Sequence, residues 1–367
     1  MENIDYIRKS QLISISSLSL EELEQLLKPL PRFRAKQVYE WITKGAASFD
    51  EMTNIPRSVQ IDLTERFCLN SGSVISNSFD TGAKKILLSF KDGVNIESVL
   101  LSDGKNRFTA CLSTQAGCPL GCVFCKTGSL GFKRNLDSNE IIEQFFQLKK
   151  LLEKQNKDFN LQKKTESAHT IKNIVIMGMG EPLLNLVNLK KAITRFTDPA
   201  GLNFSKRRIT VSTCGIYESL LDIAKNGPFI RLALSLTTAD EPLRQKLMPG
   251  TKTHPLIKIK DALLLYQQNG AGRITLEVPL LSGINTRNKD ALSIAEFAKD
   301  IKTVVNIIPW NPVLGLEFNG KPLSEPDKEE IRKFIDMLEN LGLKVTMRLH
   351  KGRSVMGACG QLGACQT

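Results

Sequence analysis

The spacing of apolar positions changes twice along this chain. Over roughly the first 70 residues apolar side chains recur at helical intervals, and Ser19 with Glu22 supplies a capping box at the start of S-L-E-E-L-E-Q-L-L. F-R-A-K-Q-V-Y-E-W-I and P-R-S-V-Q-I-D-L-T-E-R-F read as two further helices. From 73 to 114 the runs shorten and are broken by Asp-Thr-Gly, Lys-Asp-Gly and Ser-Asp-Gly, the pattern of short strands joined by turns. Beyond Cys125 the pattern changes again. Segments at 173–178, 209–213, 230–236, 274–280 and 304–309, rich in β-branched and apolar residues, read as buried-strand candidates, with a last strand at K-V-T-M-R-L. Amphipathic stretches at 138–152, 185–197, 256–268, 289–301 and 327–341 read as helices, and a polar segment near 155–170 as an exposed loop. Strands alternating with helices predict parallel βα units, either a barrel or an open sheet, with the active site at the C-terminal ends of the strands.

Composition narrows the class. At 367 residues, 41% hydrophobic and 24% charged, the chain has the make-up of a soluble globular protein of two or three domains. No run approaches membrane-span length and the first ten residues lack a signal-peptide core, so a cytoplasmic location without membrane contact is expected. In a reducing compartment the eight cysteines point to ligands, reactive thiols or core positions rather than disulfides. The net charge of +12, with clusters at 205–208 and 348–353, points to a polyanionic partner, RNA or DNA first.

The chemistry concentrates in C-P-L-G-C-V-F-C, residues 118 to 125. Gly117, Pro119 and Gly121 argue against a regular helix, so Cys118, Cys122 and Cys125 lie on a loop able to wrap a small object. A structural zinc knuckle would draw a fourth ligand from elsewhere, and such sites usually pair one C-x-x-C with another, which is missing here. Three thiolates at this spacing fit better a [4Fe–4S] cluster with one iron left open. The spacing, with Phe124 before the third cysteine, resembles the C-x3-C-x2-C signature of the radical S-adenosylmethionine (SAM) superfamily. Gly178-Met179-Gly180-Glu181-Pro182, at the end of the next predicted strand, resembles that superfamily's segment for the SAM amino group.

G-M-G-E-P-L-L-N, S-K-R-R-I-T-V-S-T, I-P-W-N-P and A-C-G-Q-L, in order from about residue 20 to 362, resemble the RNA adenine methyltransferases that act on carbon 2. The resemblance implies an α/β fold: a partial (β/α)6 radical SAM barrel over 104–352, an RNA-binding helical and β accessory domain over 1–103, and a C-terminal catalytic segment over 353–367. It implies one [4Fe–4S] cluster and two SAM per turnover, SAM contacts from Gly180, Glu181, Ser212, Ser235, Leu236, Thr237 and Asn311, and a reductant such as flavodoxin or ferredoxin. Relatives commonly carry histidine at 237, and some carry a basic tail beyond the point where this sequence stops. The expected substrates are an adenine in the peptidyl transferase centre of 23S rRNA and the adenine 3′ of the anticodon in tRNAs, handled by a monomer.

Carbon 2 of adenine is not nucleophilic, so direct transfer from SAM should fail there. The resemblance implies that Cys359, on a flexible segment between Gly357 and Gly360, accepts a methyl to become S-methylcysteine. A deoxyadenosyl radical removes hydrogen from that methyl, and the carbon radical adds to the base. Glu97 accepts the ring proton, and Cys111 attacks the Cys359 sulfur, forming a transient disulfide. Cys68 and Cys214 are expected to be structural, and Cys365 has no role. Two other readings remain: a sister class that methylates carbon 8 of the same rRNA adenine and confers antibiotic resistance, and a non-enzymatic zinc or iron–sulfur RNA-binding protein. The first is disfavoured by G-E-P-L-L-N, and the second leaves Cys111, Cys359 and G-M-G-E-P without a shared purpose.

Overall fold

In a computed structural model the described residues are 12–104, 106–160, 170–348 and 351–363; Cys365 lies outside them. The three N-terminal helices form as expected: α1 (Leu20–Leu26), α2 (Arg32–Lys44) and α3 (Arg57–Arg66). The capping box is formed in full, with Glu22 N–H donating to Ser19 Oγ at 3.1 Å and Ser19 N–H to Glu22 Oε2 at 2.9 Å.

The main sheet has ten strands among the described residues: β1 (Gly72–Phe79), β2 (Ala83–Phe90), β3 (Asn95–Ser102), β4 (Arg107–Cys111), β5 (Thr170–Ile176), β6 (Ile209–Thr213), β7 (Arg231–Ser235), β8 (Ile274–Leu280), β9 (Thr303–Pro309) and β10 (Val345–Met347). Each strand lies beside its sequence neighbour. β1 to β4 form an antiparallel meander. From β4 to β10 every pairing is parallel. The accessory strands therefore continue the same sheet as the barrel strands, across residue 103. β8 and β9 are buried along most of their length because helices cover their outer face, which is why they read as buried-strand candidates.

Helices α4 (Ser138–Asn160), α5 (Leu186–Thr197), α6 (Tyr217–Asn226), α7 (Leu256–Gln268), α8 (Asn288–Ala298) and α9 (Lys328–Asn340) make the outer layer. α4 runs to Asn160, past the point where a loop was expected. Its later turns are rich in Lys, Glu and Gln, which keep helical geometry in water, and Lys149 pairs with Glu153 one turn on at 3.7 Å. The inner face of α4 buries Ile141, Ile142, Phe145 and Leu148. The same face carries two polar ties. Gln144 accepts from Ser98 Oγ and Ser113 N–H at 2.6 and 2.7 Å. The buried carboxylate of Glu143 accepts from the N–H and hydroxyl of Ser71 and from the N–H of Gly72. The helical module docks through Arg195 of α5, which is buried and donates to Tyr39 Oη at 2.7 Å, Thr43 Oγ1 at 2.9 Å and Ser16 O at 3.3 Å.

Candidate active site

After β4 the chain makes a short hairpin, Gln115–Gly117 with Phe132–Asn135, and the cysteine loop fills its interior. The loop is fixed by backbone bonds to distant segments: Cys118 N–H to Gly131 O at 2.9 Å, Val123 N–H to Leu247 O at 3.0 Å, and Lys126 N–H to Gly360 O at 2.8 Å. Cys118, Cys122 and Cys125 line one cavity of about 190 Å³ at the C-terminal ends of the strands. Burial pushes the Cys118 thiol up to about 12 and the Cys122 thiol well above its ordinary value. Burial also raises Cys125, opposed by N–H groups of Gly128 and Thr127 that stabilise its thiolate. Among the described residues no three His, Cys, Asp or Glu side chains converge as ligands of a single ion. A [4Fe–4S] cluster does not need that convergence, since each thiolate binds a different iron.

The same cavity is lined by Gly180, Glu181, Ser212, Ser235, Thr237 and Asn311, whereas Leu236 is buried behind its wall. The two glycines of G-M-G-E serve packing. A Cβ on Gly178 would meet Ser113 Oγ at 2.5 Å, and one on Gly180, whose φ is +100°, would meet Gln115 Cβ at 2.5 Å. The Glu181 carboxylate is occupied internally. Oε1 accepts from Thr213 Oγ1 and Leu183 N–H, and Oε2 from Cys214 N–H, while burial raises its pKa. Cys214, expected to be structural, also lines this cavity. Thr237 bears on the fit of SAM. Its N–H donates to Glu277 O at 3.1 Å and its C=O accepts from Asn285 Nδ2 at 2.8 Å, so its backbone is already used. Its buried hydroxyl has no partner among the described residues and faces the cavity. An orphaned polar atom on the wall is what a polar ligand would satisfy. The residues present therefore fit both the cluster and SAM.

A second cavity, of about 560 Å³, continues from the first through the barrel interior. Met177, Glu277, Ile308, Asn311, Cys359 and Leu362 line both. Cys111 lines only the second. Its thiol is pushed up to about 12, by burial first and then by Cys359, with Arg348 opposing. Arg348 faces Cys359, Glu277 and Cys111, and its own pKa is raised by them, Cys359 most. Sequence reasoning did not single out Glu277 and Arg348. The signal available was a charge inside an apolar strand, I-T-L-E-V-P-L and T-M-R-L.

The segment over 351–363 is pinned rather than loose. Asn311 Nδ2 donates to Cys359 O at 2.9 Å, Thr127 Oγ1 to Leu362 O at 2.7 Å, and Gln361 Nε2 to Pro312 O at 3.1 Å. Glu97 lines neither cavity. It is fully buried on β3 behind the segment, 3.2 Å from Lys85 Nζ, and its Oε2 accepts from Gly363 N–H at 2.7 Å. Lys85 Nζ also donates to Met356 O at 3.2 Å, so the pair holds the segment on either side of Cys359.

A three-cysteine loop and a glycine turn at the mouth of a partial barrel define a radical SAM enzyme, and the radical SAM superfamily model matches residues 112–297. Residues 13–69 match the model of the ribosomal RNA large subunit methyltransferase N-terminal domain. The chain is 43% identical to the probable dual-specificity RNA methyltransferase RlmN of Treponema denticola, over 96% of this chain and 95% of that one. It is 37% identical to the dual-specificity RNA methyltransferase RlmN of Lawsonia intracellularis, over 96% of both chains. The crystal structure of a radical SAM methyltransferase from Sphaerobacter thermophilus superposes with a TM-score of 0.87 at 32% identity, covering 96% of this chain and 99% of that one. The chain belongs to the radical SAM dual-specificity RNA methyltransferase family.

Proposed function

We propose that the protein methylates carbon 2 of one adenine in the peptidyl transferase centre of 23S rRNA and of the adenine 3′ of the anticodon in tRNAs. It acts as a cytoplasmic monomer with flavodoxin or ferredoxin as reductant. The observation that carries this reading is the position of Cys359 on the wall shared by two cavities, one lined by the three cysteines and the other by Cys111. Cys118, Cys122 and Cys125 would hold the cluster, which when bound supplies the electron for reductive cleavage of SAM. Thr237 offers its unpartnered hydroxyl to SAM, and Gly180, Ser212, Ser235 and Asn311 line the space around it.

On the other side, Cys359 carries the methyl as S-methylcysteine and presents its carbon to the base. Loss of a hydrogen atom from that methyl to a deoxyadenosyl radical lets its carbon bond the ring; Glu97 then accepts the proton from the substituted ring carbon, and the adduct's odd electron would pass back to the cluster. To reach that proton, Glu97 must first release Gly363 N–H, so the segment that carries Cys359 shifts during turnover. Cys111 then attacks the Cys359 sulfur. A sulfur–sulfur bond forms, the sulfur–methylene bond breaks, and its electron pair leaves on the methylene for later protonation. Nucleoside mass spectrometry of rRNA and tRNA from a deletion strain tests the reading. Loss of 2-methyladenosine from both pools is expected; its persistence in both would overturn the proposal.

A further inference from the structure

The second cavity has two ends. Its inner end is the shared wall with Cys359. Toward the other end its lining passes through Thr109, Thr210, Ala233, Thr275 and Asn306, which lie in the early or middle part of β4, β6, β7, β8 and β9. The cavity therefore runs toward the N-terminal ends of the strands, away from the loops that carry the three cysteines.

Side chains on a strand return to the same face every second residue. Stepping back by two from a lining residue reaches Arg107 from Thr109, Arg208 from Thr210, Arg231 from Ala233 and Arg273 from Thr275. Stepping back by four reaches Lys302 from Asn306 and Lys344 from Arg348. Six of the seven parallel strands thus start on, or directly after, a cation in the inward phase, and all six cations are exposed. The register sets Arg231 beside Thr210, level with the cavity lining. Arg107 pairs with Asp103 at 3.5 Å, and Arg208 donates to Asn173 Oδ1 at 3.2 Å. Among the described residues, Arg208, Arg231, Arg273, Lys302 and Lys344 have no carboxylate within 4.0 Å. Among the described residues of the helical exterior some cations are paired, as Lys190 with Asp222, Lys289 with Asp240 and Lys333 with Glu329, and others, such as Lys191, Lys225 and Arg332, are not.

We propose that RNA docks on this rim of strand starts, its phosphates on the six cations, and that the target nucleotide enters the barrel from there to reach Cys359 from below. The inference rests on the RNA-methylating reading and assigns the face that this reading leaves open. A ring of six cations, five of them without a carboxylate partner, around a polar-lined shaft suits a phosphate backbone with one extruded nucleotide. From Arg231 to Ser235, at the cysteine-bearing end, the strand rises about 13 Å at roughly 3.3 Å per residue. The two substrates then approach Cys359 from opposite ends, and neither has to leave for the other to enter.

The test compares two triple variants of the full chain. The rim triple is Arg231→Gln, Arg273→Gln and Lys302→Gln. The control removes three exposed cations from the helical exterior, Lys191→Gln, Lys225→Gln and Arg332→Gln. Binding of a fluorophore-labelled synthetic RNA stem-loop with an unpaired loop adenine is measured by anisotropy across a salt series. Iron content and SAM binding check that both variants are intact. The rim triple should lose roughly two units of the log–log salt slope, at about 0.7 per phosphate contact, and bind roughly tenfold or more weakly at low salt. The control should stay near wild type. An unchanged slope for the rim triple, or an equal loss in the control, overturns the docking face while leaving the function standing. Failure of the wild-type protein to bind the stem-loop at any salt would instead overturn the functional reading, and this inference with it.

Discussion

Cys359 and Cys111 share a cavity, but their exchange should leave different traces. On the proposed mechanism Cys359→Ala removes the sulfur that carries the methyl and Cys111 is the resolving thiol, so Cys359→Ala should give iron-loaded protein with no methylated peptide and no methylated RNA by mass spectrometry. Cys111→Ala removes only the resolving thiol and should accumulate RNA tethered through Cys359, seen as a denaturation-resistant band. Because burial holds the Cys111 thiol near 12, it stays protonated at neutral pH. Below that value its thiolate fraction rises tenfold per pH unit, so release of tethered RNA in single-turnover quench experiments should accelerate steadily from pH 7 to 9. Arg348 opposes the rise. Arg348→Gln should push the thiol higher still and slow release at every pH in that window. The cysteines were legible because their spacing and neighbours carry the chemistry locally. Glu97 was legible only as a family position. Its burial under Gly363 depends on residues 266 positions apart meeting in space, and its pairing with Lys85 depends on the register of two neighbouring strands, neither of which a local pattern encodes.

Among the elements, the buried strands were the easiest to read. The predicted limits 209–213 and 274–280 coincide with β6 and β8, each of which starts directly after an exposed arginine, Arg208 or Arg273. The end of α4 was not legible, since its last turns are helical without an apolar stripe to mark them. α4 also ties the meander to the barrel through the Glu143 carboxylate, beside the Gln144 amide. Glu143→Ala leaves the Ser71 hydroxyl and the N–H groups of Ser71 and Gly72 without that acceptor. It should cost about 2–3 kcal/mol, measured by denaturant unfolding, as expected for hydrogen bonds to a buried charged group.

For the molecule as a whole, composition set the right expectations of size and basic charge but could not say where the charge gathers. Its placement follows from sheet register, which brings strand starts distant in sequence to one rim. The metal centre is likewise a property of the folded whole, since the loop that carries it is anchored to Leu247 and Gly360. Anaerobically reconstituted protein should carry about four iron and four sulfide per chain. Replacement of Cys118, Cys122 or Cys125 by Ala should remove the cluster absorbance and SAM cleavage; stoichiometric zinc without iron would contradict the site.

The order of strands in the sheet is their order in the chain. During synthesis each strand leaving the ribosome therefore meets a neighbour that already exists, and no strand must wait for a later one to be inserted between them. Such growth keeps contacts short-range and limits the time an open edge is exposed to aggregation. The exception is the segment over 351–363, which emerges after the strands and crosses back to Lys85 and Glu97 near the start of the sheet. It acts as a keystone, and a nascent chain sets Cys359 in place only when the sheet that must receive it is complete.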